Sequence, residues 1–160
     1  MRWIGMIAVA AAMAASSAGC ASTARSGEAT DTAPPFSGTW AVRWCNEARP
    51  DLECGGFWVT LVQTGRDICG EYDGALVNLR QIDDGRVSGL ADGDSAILQV
   101  RSHRNESLLE VEARRQGADL HWKAGRDLDR GSGDISIVAL DDVLERRADK
   151  ALRSPETCHL

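Results

Sequence analysis

Short runs in which the large apolar side chains fall on every second residue recur along most of this chain, and they limit what it can fold into. Trp40, Val42 and Trp44 alternate with Thr39, Ala41 and Arg43, and Phe57, Val59 and Leu61 with Trp58, Thr60 and Val62. Ala96, Leu98 and Val100 follow the same rule, as do Leu109, Val111 and Ala113 against Glu110, Glu112 and Arg114, and Leu120, Trp122 and Ala124 against His121 and Lys123. Successive side chains of a strand point to opposite faces, so this period marks strands with one buried and one wet face. Further runs lie at 68–72, 87–90, 135–139 and 143–146. Asp83-Asp84-Gly85, Asp92-Gly93-Asp94 and Gln116-Gly117 punctuate the runs and read as tight turns between antiparallel strands. A wet face on each strand excludes a parallel sheet buried on both sides. About eight or nine strands in roughly 110 residues fit a small barrel or sandwich. The expected fold is all-β: a small antiparallel up-and-down β-barrel of about eight strands, stabilised by disulfides.

The alternation begins only near Phe36. Before it, Arg2 supplies a positive charge, Trp3 to Ala15 form an uncharged apolar run, and Ser16, Ser17, Ala18 and Gly19 are small. That layout reads as a signal peptide, since the run is too short to span a bilayer as a mature helix. Ser17-Ala18-Gly19-Cys20 resembles the lipobox of bacterial lipoproteins, with Ser17 where a leucine is usual. The resemblance implies cleavage before Cys20 and lipid on its sulfur, hence a protein anchored in the bacterial cell envelope, on the periplasmic side of the outer membrane. The alternative is ordinary cleavage after Ala18, which gives a soluble protein with a spare thiol. Residues 21–35 hold no large apolar side chain and read as a flexible tether spanning about 20 Å. The expected organisation is a signal peptide at 1–19, lipidated cysteine and tether at 20–35, a barrel domain at 36–148 and a C-terminal tail at 149–160.

Lipidation also accounts for the cysteine count. Of five cysteines, Cys20 is set aside, leaving Cys45, Cys54, Cys69 and Cys158, an even set in an oxidising compartment. Four cysteines allow three connectivities; 45–54 with 69–158 ranks first, and 45–69 with 54–158 second. No Cys-x-x-Cys occurs, and His103, His121 and His159 lie far apart, so no metal or redox site is read here. Asp127-x-Asp129-x-Gly131 resembles the start of a calcium loop, but Gly131 offers no side-chain oxygen and the closing position is Val138; a flexible turn is the expectation.

The sequence contains no nucleophile elbow, zinc-protease helix or phosphate-cradling loop, and the Asp83-Asp84 and Asp141-Asp142 pairs read as solvated turn charges. The chain is therefore read as a non-enzyme without a cofactor. Its formal charge of −6, which becomes −7 when Arg2 leaves with the signal peptide, argues against nucleic acid as a partner, because phosphate backbones need clustered cations.

Four tryptophans remain after the signal: Trp40, Trp44, Trp58 and Trp122. Phe57 and Trp58 are neighbours in one strand, so one of them leaves the core, and an outward Trp58 is a candidate binding residue. Gly38-Thr39-Trp40 opening the first strand, with Arg146 or Arg147 ending the last, resembles the calycin pattern of lipocalins and avidins. There a tryptophan closes one barrel end under a late arginine, which gives Trp40 and Arg146 a structural role here. The same outline is similar to the small periplasmic inhibitors of secreted metalloproteases. The expected function is a non-catalytic binding module for an apolar small ligand or a protein partner. Metalloprotease inhibition ranks second, and a structural envelope role without a ligand third.

Overall fold

A computed structural model describes residues 35–149 and Cys158. The proposed signal peptide, Cys20 and the tether lie outside the described residues, as does the tail apart from its first residue and Cys158. The described chain is an eight-stranded antiparallel barrel in sequential order, closed by the pairing of its last strand with its first. The strands are β1 (Gly38–Trp44), β2 (Gly55–Thr64), β3 (Asp67–Ala75), β4 (Ile82–Asp92), β5 (Ser95–Ser102), β6 (Leu108–Gln116), β7 (Asp119–Asp129) and β8 (Asp141–Arg147). The fold is therefore the disulfide-stabilised up-and-down barrel expected from the alternation.

The alternating residues sort to the two faces as their period requires. In β5, Ala96, Leu98 and Val100 are buried while Ile97, Gln99 and Arg101 are exposed; in β6, Val111 and Ala113 are buried while Glu112 and Arg114 are exposed. Register follows from this, because a slip of one residue would turn every apolar side chain into water. Trp40, Phe57, Val59, Leu61, Ile68, Tyr72, Leu98, Leu120, Trp122 and Leu144 are all essentially without solvent contact. At the centre Phe57 packs against Tyr72 and Trp122, with ring centroids 5.5 and 5.2 Å apart. The barrel interior is a core of side chains.

The strands meet differently at the two ends. At one end three hairpins turn in two residues, each with a glycine at positive φ (Gly65, Gly93 and Gly117), the backbone that matches the twist of the flanking strands. At the other end the connections are long: residues 45–54, 76–81, 103–107 and 130–140.

Three expectations from the sequence are corrected here. The run at 135–139 is not a strand. Ile137, Val138 and Ala139 are buried, but as an irregular segment crossing the long-loop end of the barrel. Its apolar residues are contiguous because they plug the barrel, not because a sheet covers both their faces. Asp83-Asp84-Gly85 is not a turn either. It lies within β4, opposite Gly74, Asp73 and Tyr72 of β3, and the chain reverses earlier, through a 3₁₀ turn at Val77–Leu79. Asp141-Asp142 opens β8 instead of occupying a turn.

Candidate functional site

The tight-turn end is closed by charge stacked on an indole. Trp40 is fully buried, and its Nε1 donates to the carbonyl of Phe36 at 2.9 Å, folding the chain before β1 across the opening. The Arg146 guanidinium carbon lies 5.1 Å from the Trp40 ring and its Nη2 donates to the Ser37 carbonyl at 2.5 Å. Gly38 makes room for this. A Cβ there would stand 2.9 Å from Arg146 Nη2, on a backbone with φ of +132°.

A second arginine that the sequence reading passed over comes closer. Arg115 sits 4.4 Å from the same ring and donates to the carbonyls of Gly117, Ala118 and Asp119, tying the indole to the β6–β7 turn. Burial, with the charge of Arg146 next, holds the Arg115 guanidinium below its ordinary pKa, against an opposing pull from Asp94 and Asp119. Arg147, the alternative to Arg146, turns outward and forks onto Asp149 at 2.8 and 2.7 Å. Among the described residues this end is closed by the Arg115–Trp40–Arg146 stack.

The long-loop end is built around Asp83, the other residue missed. It is only 3% exposed, and its carboxylate accepts from Tyr72 Oη at 3.1 Å, Ser102 Oγ at 2.7 Å and the Ile137 amide at 2.9 Å. Burial first, and then the Asp83 charge, push the Tyr72 hydroxyl far above its ordinary pKa, so it serves as a fixed donor. The Ile137 contact is what seats the plug. Trp122 Nε1 donates to the Ala139 carbonyl at 3.1 Å, and the Ile137 carbonyl lies 1.9 Å from where a Cβ on Gly74 would stand. Buried Asn105 holds the approach to the plug, donating to the Asp134 carbonyl and to Ser136 Oγ. Arg104 binds the Asp134 carboxylate at 2.8 Å.

Polar groups at this end are thus committed to holding loops together. Above them lies apolar surface. Leu76, Leu79, Ile82, Ile135 and Leu140 are exposed, with Ile82 at 68% and Leu140 at 67%. Trp58 stands half-buried on the outer face of β2, while Phe57 takes the core. It lines a cleft of about 350 Å³ with Leu79 and Ile82, rimmed by Asp73 and Asp84. A cleft of about 300 Å³ is lined by Trp44, Leu76 and Leu140, with Asp142 at its side. Isolated exposed leucines are ordinary, but apolar side chains grouped around clefts with an acidic rim are the usual mark of a contact surface.

The disulfides frame this end and the opposite flank. Cys45 is bonded to Cys54, closing the β1–β2 loop beside the mouth, where the Glu53 carbonyl accepts from the Asn78 amide of the next loop. Cys69 is bonded to Cys158, fixing that residue on the outer side of β3. Asp127 and Asp129 end β7; Asp129 accepts from the Gly131 amide, and Asp134 is taken by Arg104, so the calcium-like spacing forms a turn. His103 pairs with Asp84 at 2.9 Å and His121 is exposed on β7, while His159 lies outside the described residues.

Comparison of the chain with family models, with curated proteins and with solved structures returns no match.

Proposed function

We propose that the chain is a lipid-anchored protein of the bacterial cell envelope whose barrel is a non-catalytic docking module for another protein, engaged at the long-loop end. The observation that carries the docking part is the contrast between a filled interior and an apolar, acid-rimmed mouth. A barrel that binds a small apolar ligand keeps space inside its walls, whereas here Phe57, Tyr72 and Trp122 occupy the centre. Apolar residues left in water around the mouth, on loops held by a disulfide and by Asp83, are pre-ordered for contact at small entropic cost. The anchor rests on the lipobox-like residues before Cys20 and on the even set of cysteines that remains. The calycin resemblance is supported by the placement of Arg146 over Trp40. Inhibition of a metalloprotease ranks behind docking, because residues 21–35 would have to reach the protease cleft while held at Cys20 by lipid.

The test uses the full chain in its own envelope. A photo-crosslinking side chain at position 79 or 82 is expected to capture one discrete protein, and the same group at position 97, on the barrel flank, to capture none. Equal capture from all three positions, or a saturable change in tryptophan fluorescence on titrating a long-chain fatty acid, would overturn docking at the mouth. Cys20→Ser is expected to move the protein from the membrane to the soluble fraction. Retention in the membrane would remove the anchor.

A further inference from the structure

The barrel wall has a gap at its seam. β8 pairs with β7 only along Leu120, His121, Trp122 and Lys123, and with β1 only along Thr39, Trp40 and Ala41. β7 nevertheless runs on to Asp129, held from its other side by Leu108 and Leu109 of β6. The Ala124 amide donates to the Leu140 carbonyl, and past that point no other backbone bond among the described residues reaches 125–129 from the β8 side. All five of those residues are exposed. Beside them opens a cleft of about 320 Å³ lined by Leu108, Leu109, Asp127, Asp129, Val138 and Leu140.

An unpaired strand edge is a template for another strand: its amides and carbonyls supply affinity, and pockets for alternate side chains supply selectivity. Here the pocket is apolar at its base, and its lip carries three carboxylates, Asp127, Asp129 and Asp134, and one cation, Arg130. Glu110 and Asp134 are already paired with Arg126 and Arg104, whereas Asp127 and Asp129 have no cation within salt-bridge distance among the described residues. A second copy of this chain would set the same two aspartates against themselves, and like charges across a strand pair are destabilising. A strand carrying lysine or arginine is instead attracted by both aspartates, set against the single cation Arg130 at the lip. We infer that residues 125–129 of β7 accept an extended segment of a partner protein by strand addition, a segment in which basic side chains on the cleft face, for Asp127 and Asp129, alternate with apolar ones on the opposite face, beside the exposed Leu128. This names the partner chemistry of the docking reading and rests on it.

The probe is a short, end-capped peptide alternating arginine and valine, titrated into the ¹⁵N-labelled full chain. Hydrogen exchange of amides within 125–129 is expected to slow by about tenfold or more at saturation. A glutamate–valine peptide is expected to have no effect. An arginine–valine peptide methylated on alternate backbone nitrogens is expected to lose binding in one of its two phases, because only one edge of a strand faces β7. Asp127→Lys combined with Asp129→Lys should weaken the arginine peptide by about tenfold. No slowing at about 1 mM peptide, equal binding by both methylated phases, or equal binding by the lysine variant overturns strand addition. The methylated peptides act on the unaltered protein, so the inference stays testable if the variant does not fold. Capture from positions 79 and 82 is read separately, so docking at the mouth can survive the failure of the seam.

Discussion

Arg115 lies closer to the Trp40 ring than Arg146 does, 4.4 Å against 5.1 Å, and only Arg115 also holds a turn through three carbonyls. Removing it costs both the cation–π contact and the turn. Arg115→Ala is expected to destabilise the domain by about 2 kcal/mol and Arg146→Ala by about 1. Arg115→Lys should not restore the loss, because an ammonium cannot fork across the turn. Trp40→Ala should cost about 3–5 kcal/mol, as aromatic truncations in cores do. Urea unfolding of the four variants decides this, and a larger loss at Arg146 than at Arg115 would reverse the assignment.

Asp83 is expected to matter for order at the mouth more than for the barrel. Asp83→Ala strands the Tyr72 hydroxyl, the Ser102 hydroxyl and the Ile137 amide, at roughly 2–4 kcal/mol in total. The plug should loosen first, so exchange of the Ile137 amide should approach that of an open loop while Leu98 and Val111 stay protected. Uniform loss of protection would place Asp83 in the barrel's cooperative core instead.

The two disulfides should differ in worth. Bridging Cys69 to Cys158 closes a separation of 89 residues and bridging Cys45 to Cys54 one of 9. In the chain-entropy model these constraints are worth about 4.6 and 2.7 kcal/mol through the unfolded state. Paired serine variants compared by thermal unfolding test the order. A greater loss from the Cys45–Cys54 pair would mean that its loop supports the folded mouth directly.

At low pH the surface carboxylates define a window. The Arg147 fork pulls Asp149 from an ordinary 3.8 to about 2, and similar bonds from Arg126 and Arg104 lower Glu110 and Asp134. Because these folded-state values are depressed, their contribution is present above the ordinary carboxylate pKa. It is lost as pH falls from there toward about 2. Carboxyl NMR titration should give Asp149 a midpoint near that value and return it to the ordinary range in Arg147→Gln. An unchanged midpoint in the variant would rule out the fork as the cause.

Alternation placed β1, β2, β5, β6 and the first half of β7 in the sequence, although only the last three have a wet outer face and Thr39, Ala41 and Thr60 on the outer side of β1 and β2 are buried. It also required Phe57 and Trp58 to part, one inward and one outward. It also contained Arg115 and Asp83. Arg115 continues the inward series Leu109, Val111 and Ala113, and Asp83 opens the inward series that runs through Gly85 and Val87 to Ala91. Both escape a reading of the sequence because a charge at an inward position looks like the end of a strand until its partners are known. The run at 135–139 misleads for a different reason. Continuous burial, here of Ile137, Val138 and Ala139, is shared by a doubly covered strand and a plug, and only the contacts of Ile137 with Asp83 and Gly74 separate them. Those contacts lie more than fifty positions away in sequence and leave no local signature.

The asymmetry of the barrel ends also governs how such a domain can diversify. Two-residue turns and the Arg115–Trp40–Arg146 stack leave one end no room for insertion. The segment at 130–140 is equally constrained, since its middle is core. Tolerance is left to the Cys45–Cys54 loop and the 76–81 connection, which touch each other through Glu53 and Asn78 and share the mouth. New recognition in this architecture would arise by exchanging those two loops as a pair, above a barrel that need not change to carry them.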